Sequence, residues 1–205
     1  EKITSDIVRR IIDSSLDVDG YEAKNTIVAG GEEAVDPHME GSKPLMVGTA
    51  IVIDVFPRSK GTGYFADMTR TVCVGTPSRE LQRMYDVCLA GQELGISMIK
   101  PGVAGRSIQK TIEDLFEREG FGKREIDGRP CGFIHGVGHS LGLECHERPA
   151  IRDNDDVLEE GNVVTVEPGL YFKGMGGVRI EDMILVTKDG SRNLTYFSKK
   201  FVLEK

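Results

Sequence analysis

Histidine is scarce in this chain: four in 205 residues. Cysteine is equally sparse, and Cys73, Cys88, Cys131 and Cys145 form no CxxC pair. That spacing argues against paired-thiol chemistry and reads as the reduced thiols of a cytoplasmic protein. No apolar run is long enough to span a bilayer. No charged-then-apolar leader is present, so secretion is not indicated. Positive charge is in deficit, with 26 Lys and Arg against 33 Asp and Glu, a net charge of −7 and a pI near 5.2. That balance disfavours nucleic acid and anionic membranes as partners. A starting methionine is also missing: position 1 is Glu1, as expected of a processed or excised piece.

What is present is ordinary for a globular domain, 39% hydrophobic and 29% charged residues. The length suits one domain, or two closely joined halves. "ITSDIVRRIIDSSL" places Ile3, Ile7, Ile11 and Ile12 at helical spacing, with Thr4 or Ser5 as the cap, and predicts a helix over 3–16. "PLMVGTAIVIDVF" reads as a buried strand, and "RSKGTG" turns the chain into a second strand, "YFADMTRTVCVG". Ser78 opens a long helix over 78–99, closed by Lys100-Pro101-Gly102. A further helix follows, with Ile108, Ile112, Leu115 and Phe116 on one face. Two more strands, "GNVVTVEPGLYF" and "GGVRIEDMILVT", are joined by "KGMGG". The order repeats a helix and a hairpin, giving halves of about 1–77 and 78–205. The first half lacks a counterpart of the helix at 78–99, so a helix and a domain are expected to be missing ahead of Glu1.

Each hairpin carries one acid per strand, Asp54 with Asp67 and Glu167 with Glu181. Asp54 ends the apolar run "AIVID", where an unpaired carboxylate costs on the order of several kcal/mol. Asp67 stands at period two with Thr69 and Thr71, so the three share a face. If the hairpins converge, the carboxylates raise one another's pKa and oppose folding unless something positive lies between them. Arg179 cannot balance four, but two divalent cations can. A donor set of oxygens with one or two imidazoles suits manganese, cobalt, iron or zinc.

Three of the four histidines fall in "FIHGVGHSLGLECHERP", at positions 135, 139 and 146. HGVGH is not the helical HExxH of zinc proteases, because it lacks the glutamate and its glycines oppose a helix. One of these histidines is expected to bind metal and the others to do different work. "HGVGHSLGLECHERP", "VTVEPGLY", "GGVRIED", "DMTRT" and "TIVAGGEEAVDPH" together resemble the Xaa-Pro aminopeptidase and prolidase branch of the pita-bread metallopeptidases. The resemblance runs over essentially the whole chain. It implies an α+β pita-bread fold, two pseudo-symmetric αβ halves with mainly antiparallel strands around a dinuclear metal site.

Carried over residue by residue, the resemblance makes Asp54, Asp67, His139, Glu167 and Glu181 metal ligands, with Asp67 and Glu181 bridging. His38, His135 and His146 match substrate-side histidines, and Arg179 an arginine that supports the site and orients substrate. The implied cofactors are two divalent ions, manganese foremost, with cobalt, zinc or iron as alternatives. The implied reaction is hydrolysis of the bond N-terminal to proline, Glu167 taking the proton of a metal-bound water and His146 stabilising the oxyanion. The implied partners are a peptide with proline second and a second copy of the chain in a homodimer. Methionine aminopeptidase, creatinase-like chemistry and a metal-free peptide-binding protein are the competing readings of the same fold. The complete ligand set disfavours the last two. The sequence departs from the family at "DVFPRSKGTGYFAD", where Phe56 replaces a glycine and the loop is longer.

Overall fold

The hydroxyl of Thr4 accepts the Ile7 amide at 3.4 Å and starts the first helix, α1, over Ser5–Val18. The computed structural model, which describes residues 2–204, thus places a helix where the periodicity does. The inward face is different from the one expected. Ile3 and Ile11 are 59% and 65% exposed, while Ser5 is buried and Val8 and Ile12 are half-buried. The helix lies along the strands Ile27–Gly30 and Tyr21–Glu22, and a helix covered on one side buries only a narrow stripe.

Ser78 caps the long helix α2 (Arg79–Met98) by accepting the Leu81 amide at 3.1 Å. The next helix, α3 (Gly105–Arg118), buries Ile108, Ile112 and Phe116 completely and Leu115 in part. The two helices touch closely at Gly91, where a Cβ would stand 2.6 Å from the Phe116 ring. Met84 and Cys88 of α2 share the main core with Val164, Val166, Leu170 and Ile184 of the strands beneath.

One sheet has four strands in the order Val202–Leu203, Met68–Val74, Ile51–Val55, Ile27–Gly30. The first of these pairs is parallel and the others are antiparallel. A second sheet is antiparallel throughout, in the order Gly190–Asn193, Asp182–Thr187, Val163–Val166, Gly138–Ser140, Glu147–Ile151. The expected long strands are shorter than their apolar runs. The first begins only at Ile51, and Tyr64–Asp67 lies outside the ladder that starts at Met68. The loop between them is built rather than loose: Arg58–Ser59 pairs with Tyr21–Glu22, and the Phe65 amide reaches the Gly142 carbonyl at 2.8 Å.

The second expected hairpin breaks in both arms. Val163–Val166 pairs with Asp182–Thr187 in the large sheet, whereas Gly169–Phe172 pairs with Gly176–Arg179 in a separate ribbon. Pro168 has no N–H to continue the ladder. The backbone donors at the breaks turn elsewhere. The Glu167 amide bonds Val137 O at 2.7 Å, and the Glu181 amide bonds Thr69 O at 3.0 Å. The two glutamates therefore sit where the hairpin leaves one sheet for the other, tied to the histidine segment and to the first sheet respectively.

Beside Glu181 a buried polar network fastens the C-terminal segment. Arg70 Nη2 meets Asp182 Oδ1 at 2.8 Å, and the same guanidinium donates to the carbonyls of Glu181, Phe197 and Ser198. Asp182 also accepts from Lys199, Asn193 and Gln92 at 2.7, 2.8 and 3.1 Å. Among the described residues no helix is long and apolar enough to cross a membrane.

Candidate metal centre

His139 owes its place to the glycines around it. A Cβ on Gly138 would stand 2.0 Å from the Thr165 carbonyl oxygen, so only glycine lets this strand approach Val163–Val166 so closely. The His139 amide then reaches Thr165 Oγ1 at 3.1 Å. Its ring Nδ1 donates to the Ser140 carbonyl at 3.1 Å, which leaves Nε2 facing inward.

Nε2 lies 3.3 Å from Glu167 Oε1 and 3.9 Å from Asp67 Oδ2. Asp67, His139 and Glu181 each offer a ligand atom, all within 4.8 Å of one another. Among the described residues Asp54 Oδ1, Asp67 Oδ1 and Glu181 Oε1 are buried with no hydrogen-bond partner. Buried carboxylate oxygens are normally paired. An imidazole lone pair aimed at two carboxylates is likewise repulsive unless a proton or a cation lies between. The residues present therefore fit a divalent cation, through their chemistry and their unsatisfied oxygens alike.

The titration behaviour follows from the same crowding. Burial, then the charges of Glu181, Asp54 and Glu167, push the Asp67 carboxyl well above its ordinary range. Burial and the charges of Glu167 and Asp54 do the same to Glu181. Burial also opposes charge on Glu167, but hydrogen bonding to His139 and the nearby Arg179 hold its pKa below the usual value. Burial opposes charge on His139, yet Glu167 raises its pKa on balance.

One side of the centre is closed by Arg179, 3% exposed. Its Nη2 bonds Asp54 Oδ2 at 2.8 Å, its Nη1 bonds Tyr171 Oη at 2.8 Å and the Pro37 carbonyl at 3.2 Å, and its Nε bonds Thr69 Oγ1 at 3.3 Å. Thr69 in turn donates to Glu181 Oε2 at 2.7 Å. With its donors so occupied, Arg179 holds other groups in place, including the carbonyl that precedes His38.

A cavity of about 840 Å³ opens over the centre. Asp54, Asp67, His139, Glu167 and Glu181 line it together with His38, His135, His146 and Arg179, so every residue singled out in the sequence faces one space. His38 and His146 are exposed in it, and the His146 ring lies tilted against the His139 ring, with centroids 4.2 Å apart. Burial, and then the neighbouring His139, lower the His146 pKa. Phe56, from the long loop, lines the same cavity, as does Cys145, and so do Arg148 and Ala150 of the strand Glu147–Ile151 and Arg152 just after it. Tyr171 escaped the sequence reading. Its signal was a tyrosine inside a buried apolar run, since a buried phenol needs a partner.

Metal should stabilise this arrangement. At free metal a hundredfold above its dissociation constant, one site adds about 2.7 kcal/mol, or roughly 5–10 °C in Tm for a chain of this size. The pH dependence gives the sign. Asp67 and Glu181 keep their protons in the folded metal-free state above the pH at which the unfolded chain releases them. Through that window the folded state binds more protons, so the metal-free protein loses stability as pH rises. Melts with chelator and with manganese, run from acid to neutral pH, should diverge as pH increases. Coincident curves at measured metal occupancy would refute a metal-assembled centre.

Comparison with known proteins gives a consistent picture. Residues 2–188 match the profile described as Metallopeptidase family M24. The chain is 36% identical over 175 residues to a Xaa-Pro dipeptidase of Pyrococcus furiosus, covering 84% of this chain and 47% of that one. The crystal structure of a prolidase from Pyrococcus horikoshii OT3 superposes with a TM-score of 0.89 at 33% identity, over 98% of this chain and 56% of the other. An X-Pro aminopeptidase from Thermotoga maritima MSB8 superposes with a TM-score of 0.88 at 34% identity, over 98% and 55%. The chain thus spans about half the length of the relatives it matches.

Proposed function

The chain belongs to metallopeptidase family M24 and has the pita-bread fold, and from that premise we propose that it is an exopeptidase hydrolysing the bond N-terminal to proline. The observation that carries this reading is the convergence of Asp67, His139 and Glu181, with one ligand atom of each within 4.8 Å of the others, at a place where Asp67 Oδ1 and Glu181 Oε1 are buried without partners. We propose all five of Asp54, Asp67, His139, Glu167 and Glu181 as ligands of two divalent ions. Manganese is favoured by a donor set of carboxylate oxygens and a single imidazole. When bound, the ions would acidify a water and polarise the scissile carbonyl.

The protein groups have separable parts. Glu167, kept ionised by His139 and Arg179, is able to accept the proton of the attacking water. His146 is exposed in the cavity and carries no hydrogen bond to protein among the described residues, so an N–H is available for the developing oxyanion. His38 stands at the rim, its backbone anchored through the Pro37 carbonyl on Arg179. A proline after the scissile bond has no N–H to offer, so the pocket must select by shape and by the carbonyl. Methionine aminopeptidase chemistry on the same fold is not favoured by the relatives. The reading takes 1–205 as one catalytic domain in a cytoplasmic setting, in keeping with four unpaired thiols.

Metal analysis together with cleavage of Ala-Pro, Ala-Pro-Ala and Ala-Ala-Ala tests the proposal. A lost contact of about 1–3 kcal/mol changes selectivity by roughly ten- to two-hundredfold, and a preference of that size for the proline tripeptide over the alanine one is expected in kcat/KM. Discrimination by peptide length needs a wall beyond the cavity described here, and the ratio of kcat/KM for Ala-Pro to that for Ala-Pro-Ala measures it. Faster cleavage of Ala-Ala-Ala by metal-loaded protein would overturn the proline reading.

A further inference from the structure

His135 differs from the other cavity histidines in having no ring nitrogen to spare. Its Nδ1 lies 2.8 Å from the Gly136 carbonyl oxygen, which only accepts, so Nδ1 carries the hydrogen. Its Nε2 lies 2.9 Å from Tyr171 Oη. That hydroxyl already accepts from Arg179 Nη1 at 2.8 Å, and a guanidinium only donates. The phenol hydrogen is therefore directed to Nε2, and the chain of donors runs Arg179, Tyr171, His135, Gly136 carbonyl. Burial lowers the His135 pKa, which agrees with a neutral ring. Tyr171 is itself completely buried and fixed by backbone pairing to Gly132, at 2.9 and 3.2 Å.

We propose that Tyr171 is a positioning residue that holds His135 as the neutral Nδ1–H tautomer with both nitrogens committed, so that His135 offers substrate a ring face and no hydrogen bond. The substrate part rests on the proline-directed reading above, because an apolar pyrrolidine ring is the kind of group a committed imidazole face can meet. The tautomer stands on the hydrogen-bond directions alone.

Four histidines make nitrogen-15 NMR of zinc-loaded, diamagnetic protein tractable. The His135 spectrum should show a protonated Nδ1 and a hydrogen-bonded, unprotonated Nε2. Adding free proline as a probe should shift the nitrogens of His146 but leave those of His135 in the same tautomer. In Tyr171→Phe the Nε2 resonance should move to its unbonded position, and kcat/KM on Ala-Pro should fall roughly ten- to a hundredfold, mainly through KM. A hydrogen on Nε2 in the wild-type protein, or a tautomer change when proline binds, would overturn the proposal whether or not the variant folds. Failure to cleave any proline peptide would instead overturn the functional reading, and the wild-type spectrum would still decide the tautomer.

Discussion

His146→Ala is expected to lower kcat about a hundredfold to a thousandfold, the range for losing one donor to a developing oxyanion, with metal content unchanged. His139→Ala is expected to lose metal and activity together. The two rings are neighbours, 4.2 Å apart, and both belong to the same short stretch, so their difference lies in how each is held. The Nδ1 of His139 is committed to the Ser140 carbonyl and its Nε2 faces Asp67 and Glu167. A ring so placed completes the donor set. His146 has no such bond, stands in the open part of the cavity, and is kept neutral by burial and by His139. Metal content by elemental analysis, set beside kcat on Ala-Pro, separates the two roles. Equal metal loss in both variants would mean that ligand and substrate-side histidine are wrongly assigned.

Much of this was legible because the relevant signals are local. Thr4 and Ser78 announce helix starts by their type and position, and the Ile108, Ile112, Phe116 spacing gives the buried face of α3 directly. The four acids stand out because each ends or interrupts an apolar, β-branched run, where an unpaired carboxylate is costly. Their individual roles came from family motifs and not from spacing. What stayed hidden depends on distant neighbours. Periodicity says that α1 has an apolar stripe, but the strands it packs against, Ile27–Gly30 and Tyr21–Glu22, decide which side of it is covered, and Ile11 is left outward. The runs 161–172 and 176–187 look continuous, although Pro168 marked one break. The partners that draw the Glu167 and Glu181 amides away, Val137 and Thr69, are not readable from those runs. The strand Val202–Leu203 carries too short a pattern to declare its parallel pairing with Met68–Val74. The partner of His135 Nε2 is Tyr171, 36 residues away.

Asp182→Ala should cost about 3–5 kcal/mol, because it leaves a buried charge without its partner. Asp182 is fully buried and Arg70 is 4% exposed, and they lie 112 positions apart in the chain. Removal of the carboxylate strands Arg70 and Lys199, and with them the donors Gln92 and Asn193. Burial raises the Asp182 pKa, but Lys199, Asn193 and Arg70 outweigh it and hold the folded value below the ordinary one. Its contribution is therefore present above the unfolded pKa, near about 3.9, and is lost as pH falls through the folded value. That is opposite in sign to the metal-free Asp67 and Glu181 pair, so acid melts of wild type and Asp182→Asn should converge at low pH. Arg70→Ala should cost a similar amount, and the double variant clearly less than the sum, since the second change relieves the charge that the first stranded. Arg70 also holds the Glu181 carbonyl at 2.6 Å. Misplacement of Glu181 should weaken metal binding roughly ten- to a hundredfold in Arg70→Ala, as for other groups that support a ligand. Denaturant unfolding of the four proteins in the cycle, with metal titrations on each, measures both effects. Additive losses with unaltered metal affinity would show that the network fastens the C-terminal segment alone and does not position Glu181.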